Sequence, residues 1–140
     1  MRRWKRSTVA TTKAVLLDTH VFLWSALEPE RLSRTAARLL QSAGVALYLS
    51  VASVWETSLK HHKGKLAEAT DFIVDGQMDA LSISPLAITV AHVRALERLE
   101  RNGHKDPFDR LIAAQAMVEN LPLVTADPAF RQYAQVKVQW

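Results

Sequence analysis

The sequence predicts an α/β fold: a single domain of three layers, α/β/α, around a central, mostly parallel sheet of about five strands. Three observations predict it. Short continuous apolar runs recur along the chain, as in strands buried on both faces. Segments of helical character follow them, most opening on a Ser or Asp cap. The 140 residues suffice for one domain with a full core, and residues 14–140 hold no repeat, low-complexity block or linker.

In chain order, AVLLD at 14–18 is the first buried strand, and VFLWSAL at 21–27 a short helix closed by Glu28-Pro29. Ser33 caps a helix over 34–42 that carries Ala36, Ala37, Leu39 and Leu40 inward, with Gly44 past its end. VALYLS at 45–50 is the second strand, and the helix after it ends at Gly64. Residues 69–77 are read as helical and 80–83 as a short strand. Ser84-Pro85 is read as a helix start, Ser as N-cap and Pro at the first position, for a helix running to about Glu100 and broken by Asn102-Gly103. Asp106-Pro107 opens a helix through Glu119, residues 121–125 form a strand, Asp127-Pro128 opens a last short helix, and 136–138 form an edge strand. Strands alternating with helices argue for one parallel sheet.

Composition narrows the function classes. The chain is 49% hydrophobic and 23% charged, which is globular rather than disordered. With no cysteine, disulfides and thiolate metal sites are excluded, and a reducing cytosol suits it. No apolar run approaches the roughly 20 residues of a membrane span. The net charge of +4 belongs to a tail: residues 1–13 hold five Lys or Arg and no acid, leaving the rest at −1. That basic tail is expected to be a disordered leader rather than a nucleic-acid contact.

Four acids occupy suggestive places. Asp18 ends the first strand, Glu56 lies in the first turns after the second, and Asp127 follows the strand LPLVT. Asp109 sits in the first turn of the helix opened by DPFD. In open α/β sheets, ligands bind outside the carboxyl ends of the strands. Singly, each acid is explained by helix capping: Asp18 before its helix, Ser53 and Glu56 as a capping box, Asp127 as an N-cap, and Asp109 as a dipole partner behind the N-cap Asp106. Capping does not require that the acids meet. If they do, their repulsion calls for protonation or a cation, and oxygen ligands of this kind suit Mg²⁺ or Mn²⁺.

LLDTHVFLW, SVASVWETSLKHHKGKL, HKDPFDRLIAAQA and LPLVTADPAF, in this order, resemble the successive signatures of PIN-domain ribonucleases, in particular the VapC-like toxins of type II toxin–antitoxin systems. The likeness covers about residues 14–135 and is carried most by HKDPFDRLIAAQA. It implies a PIN-like nuclease domain over 14–140 that cleaves RNA phosphodiesters with Mg²⁺ or Mn²⁺. The acidic site it implies is Asp18, Glu56, Asp109 and Asp127, as catalytic residues and metal ligands. It implies supporting roles for Thr19, Thr125 and Asp106, the last foremost an N-cap. It further implies an RNA substrate, a cognate antitoxin, a homodimer, a cytoplasmic location and no membrane.

Further residues carry two readings. His104, Lys105 and Arg110 flank the DPFD turn and suit contacts to substrate phosphates, or ordinary surface pairing. Lys60, His61, His62, Lys63 and Lys65 are read as dipole compensation at a helix end. His20 is expected to be a buried neutral histidine. Trp24, Trp55 and Phe108 are expected in the core or a protein interface rather than stacked on bases, and Met78 and Met117 in the core. Two other functions remain: a catalytically silent PIN-like module binding RNA or protein, which has no need of four carboxylates, and a haloacid-type phosphatase, which wants a second Asp where this chain has His20.

Overall fold

A computed structural model describes residues 12–68, 70–101 and 105–140. Most of the basic tail and the predicted Asn102-Gly103 break lie outside them. Five strands form one wholly parallel sheet in the order β3-β2-β1-β4-β5: β1 Ala14–Leu17, β2 Ala46–Ser50, β3 Ile83–Leu86, β4 Leu123–Val124 and β5 Val138–Gln139. Helices α1 Thr19–Leu27, α2 Arg34–Gln41, α3 Val51–His62, α4 Gly76–Ala80, α5 Val90–Ala95 and α6 Pro107–Glu119 lie between them.

The alternation of side chains along the strands builds the three layers. Val15 and Leu17 of β1 join Leu47, Leu49 and Val124 in a core completed by Val21, Phe22, Leu40 and Ile73. Leu16 and Leu123 face the other way, against Ile112, Ala113, Ala116, Phe130 and Tyr133. The central strand is buried on both sides, which is why AVLL reads as an unbroken apolar run. Alanines at 113, 114 and 116 let α6 lie close to the sheet. Met78 packs against the first core and Met117 against the second.

Local signals placed most boundaries. Ser33 caps α2, accepting from the Ala36 amide at 3.0 Å. Gly64, at φ 76°, ends α3 in the left-handed conformation that glycine adopts without strain. The predicted strand at 80–83 and the helix from Ser84-Pro85 are corrected together. Ile83–Leu86 is the strand, and Pro85 pairs within it opposite Leu49. A proline is tolerated there because β3 is an edge strand. Helix α5 starts later, behind Thr89, whose hydroxyl accepts from the His92 amide while His92 Nδ1 accepts from the Thr89 amide. It passes into a 3₁₀ turn, Leu96–Arg98. The helical stretch expected at 69–77 is a π-helical turn, Asp71–Asp75, running into α4.

From β1 the chain steps outward through β2 to β3, then returns to the opposite side of β1 for β4 and β5. The direction of winding therefore reverses between β1 and β4. The crevice at the carboxyl ends of those two strands is where an open α/β sheet accepts a ligand. Asp18 follows β1 and Thr125 follows β4.

Candidate active site

Asp18 is 2% exposed. It occupies the N-cap position of α1 yet makes no capping hydrogen bond through its side chain, so the expected capping role is corrected. Its Oδ2 instead accepts a 2.8 Å hydrogen bond from Thr125 Oγ1. Oδ1, also buried, has no hydrogen-bond partner among the described residues. Burial pushes the Asp18 carboxyl above its ordinary value. The Thr125 hydroxyl, His20 and the Thr19 amide pull the other way, and the Glu56 charge adds to the rise.

Glu56 is the second acid of the site, 9% exposed, with Oε1 buried and without a partner among the described residues. The capping box Ser53–Glu56 is not formed. Helix α3 begins three residues earlier than that pattern needs, with Ser50 as N-cap accepting from the Ala52 amide at 3.0 Å. Ser53 falls inside the helix, and its Oγ accepts from Thr19 Oγ1 at 2.8 Å. The bond ties α1 to α3, the two helices that carry Asp18 and Glu56 at or near their starts. Ser53 was not singled out as a site residue. Its signal, a small polar residue one turn before Glu56, was absorbed by the capping pattern.

The other two acids stand at the starts of later helical elements. Asp127 caps the 3₁₀ turn Pro128–Gln132 through Oδ1, which accepts from the Ala129 amide at 2.9 Å. Its own amide donates to Thr125 Oγ1 at 3.1 Å, so Asp127, Thr125 and Asp18 form one hydrogen-bonded chain. Asp109 lies half-buried in the first turn of α6. Asp106 is the N-cap of that helix, accepting from the Phe108 amide at 2.8 Å. The rings of Trp55 and Phe108 meet edge-on, with centroids 5.0 Å apart. Glu56 and Asp109 are thus each the next residue after one of two touching rings. Among the described residues, no three or more acid or histidine side chains are already drawn together as a metal site.

The chemistry of the donors nonetheless fits a hard divalent cation. At this site two buried carboxylate oxygens lack partners among the described residues, as Glu100 Oε2 does elsewhere, and the Glu56 charge adds to the cost of ionising Asp18. A cation relieves both conditions, and oxygen ligands suit Mg²⁺ or Mn²⁺.

Among the surrounding residues, His20 and Trp55 depart from expectation. His20 is exposed, not buried. Trp55 is 58% exposed and therefore not core. Trp24 is half-buried between Trp140, 5.9 Å away, and the Arg31 guanidinium, 4.3 Å over its ring. Arg110 donates to the Glu100 carbonyl at 3.2 Å, Lys105 is exposed, and His104 lies outside the described residues.

Comparison with known proteins gives a consistent picture. The PIN domain profile matches residues 15–136. The chain is 30% identical over 119 residues to Ribonuclease VapC22 of Mycobacterium tuberculosis, covering 85% of this chain and 91% of that protein. Its fold is similar to a chain of VapBC2 from Rickettsia felis, solved bound to a DNA fragment from their promoter. There the TM-score is 0.73 at 16% identity, covering 90% of this chain and 97% of the other. It is also similar to VapBC-5 from Mycobacterium tuberculosis, a member of the VapBC family of toxin–antitoxin systems, with TM-score 0.56 at 22% identity, covering 90% and 97%.

Proposed function

This chain belongs to the PIN-domain family, in its VapC-like branch, and from that membership we propose that it is a Mg²⁺- or Mn²⁺-dependent endoribonuclease, the toxin of a toxin–antitoxin pair. The observation that carries the proposal is the pair of buried carboxylate oxygens without a hydrogen-bond partner among the described residues, Asp18 Oδ1 and Glu56 Oε1. A carboxylate left unpaired in a core costs several kcal/mol unless a cation meets it.

Asp18, Glu56, Asp109 and Asp127 would hold the ion. When bound, it supplies a Lewis acid that makes water a stronger nucleophile and offsets charge developing on the phosphate. The chain's own residues set the geometry. Thr125 fixes one oxygen of Asp18 and thereby the direction of the other. The Thr19–Ser53 bond holds α1 against α3 and so sets how far apart Asp18 and Glu56 stand. The Asp127 amide on Thr125 orients the hydroxyl that holds Asp18. Water attacks phosphorus in line, the P–O3′ bond breaks, and the products carry a 5′-phosphate and a 3′-hydroxyl. His104, Lys105 and Arg110, beside the start of α6, are assigned to substrate phosphates.

The proposed partners are single-stranded RNA, a cognate antitoxin that occupies the acidic groove, and a second copy of the chain, with the cytoplasm as the place of action. The relatives' solution as VapBC proteins supports the antitoxin. The exposed Val51, Ile88, Val90 and Val93 are apolar side chains that a second copy would cover.

The lack of a ready cluster of three ligands among the described residues favours the second reading, a silent RNA- or protein-binding module. Incubation of wild-type and Asp18→Asn protein with RNA in Mg²⁺, Mn²⁺ and EDTA separates the two. Cleavage by wild-type alone, stopped by EDTA, supports the nuclease. Equal behaviour of the two proteins supports the silent module.

A further inference from the structure

Lys60 stands four residues after Glu56 on α3, the spacing and order at which Glu and Lys pair on a helix face. They do not pair. The Glu56 carboxylate is buried beside Asp18, and no carboxylate among the described residues is in ion-pair contact with Lys60. Half-buried Lys60 reaches instead across to α1, where its Nζ lies 3.5 Å from Nε2 of the exposed His20. His20 is two residues after Asp18 and close enough for its charge to act on that carboxylate.

This arrangement does little for the fold. A contact at the outer limit of hydrogen bonding, on the surface, between two groups that can both be cations is worth next to nothing. It does create a basic rim on one side of the acid pair, spanning the two helices that carry Asp18 and Glu56. Buried carboxylates repel a polyanion, and a strand brought to them needs cations at their margin. An ammonium has three donors that rotate freely, and an imidazole N–H offers a further one from a planar ring. An anion with several acceptor oxygens can take both at once.

We propose that Lys60 and His20 together bind one phosphate of the RNA strand beside the bond that is cut, as positioning residues for the substrate. The proposal rests on the ribonuclease reading above. The contact is to backbone and carries no base preference.

The experiment uses the full chain and a mixed-sequence single-stranded RNA oligonucleotide. Binding is measured in EDTA, over a range of salt, to Asp18→Asn protein and to the same protein also carrying Lys60→Met or His20→Gln. Steady-state kinetics are measured on Lys60→Met, His20→Gln and Lys60→Arg in the otherwise wild-type chain. The expected result is a KM raised about tenfold by Lys60→Met with kcat little changed. The salt slope of binding falls by about 0.7, the loss of one single-strand phosphate contact. Lys60→Arg restores most of the affinity, and the Mn²⁺ concentration for half-maximal rate stays at the wild-type value, which a role through Glu56 would shift. Cleavage by wild-type with KM and salt slope unchanged in Lys60→Met overturns the phosphate site and leaves the nuclease standing. Salt-dependent binding that weakens in Lys60→Met, without cleavage by wild-type, overturns the nuclease and keeps the phosphate site. No RNA binding by any form, with no cleavage by wild-type, overturns both.

Discussion

Thr125 Oγ1 donates to Asp18 Oδ2 at 2.8 Å, joining the ends of β4 and β1 at the place where the sheet reverses its winding. That bond holds one oxygen of the carboxylate and leaves the other, Oδ1, buried without a hydrogen-bond partner among the described residues. Partners of this kind, one step behind a ligand, typically contribute ten- to a hundredfold in metal affinity or activity. Thr125→Val is expected to lower ribonuclease activity by about that factor, with a higher Mn²⁺ requirement and a retained fold. Activity titrated with Mn²⁺, beside a circular dichroism spectrum, checks it. Unchanged metal dependence would show that the hydroxyl is not what orients Asp18.

The raised Asp18 pKa has a definite consequence for stability without metal. Between its ordinary value near 3.8 and the higher folded value, the folded chain keeps a proton that the unfolded chain has lost. Folding stability therefore falls as pH rises through that window, and the full penalty persists above it. Asp18→Asn removes the penalty. In EDTA at neutral pH it is expected to be more stable than wild-type by about 1–3 kcal/mol, and the difference should vanish toward pH 3. Urea unfolding at several pH values tests this. A neutral-pH variant less stable than wild-type would contradict the burial of an uncompensated charge.

The Thr19–Ser53 bond is buried at both ends. Thr19→Val keeps the shape and removes the donor, and is expected to cost about 1–2 kcal/mol, seen as a thermal midpoint lower by roughly 3–6 °C. Activity should fall beyond what stability explains, because α1 and α3 set the spacing of Asp18 and Glu56. A variant that unfolds earlier yet keeps its full rate at low temperature would separate the bond from the site.

What could be read from the sequence was what local physics decides. The apolar runs of β1 and β2, the Ser33 and Asp106 caps and the Gly64 stop each depend on neighbours within a turn or two. The order of the sheet does not. Ser84-Pro85 has the form of a helix start, and only the position of β3 at an edge makes Pro85 acceptable in a strand. Ser53 and Glu56 have the spacing of a capping box, and only the true start of α3 at Val51 puts Ser53 one turn inside it. Asp18, read singly, is a helix cap, and the hydroxyl that its side chain takes in place of a cap lies 107 residues further along the chain. His20 follows a buried strand and was expected to be buried with it, but the turn into α1 brings it to the surface beside Lys60. The four acids were located by the strand and helix ends they follow. Which of their oxygens lack partners is a property of packing alone.

The claim on which the rest depends is that Asp18 and Glu56 together hold a divalent cation. Mn²⁺ binding to the RNA-free protein, followed by electron paramagnetic resonance in wild-type, Asp18→Asn and Glu56→Gln, tests it most directly. Saturable binding by wild-type, with affinity reduced at least tenfold in each variant, is the predicted result. A wild-type protein that leaves all the Mn²⁺ free, or variants that bind as tightly as wild-type, would contradict it.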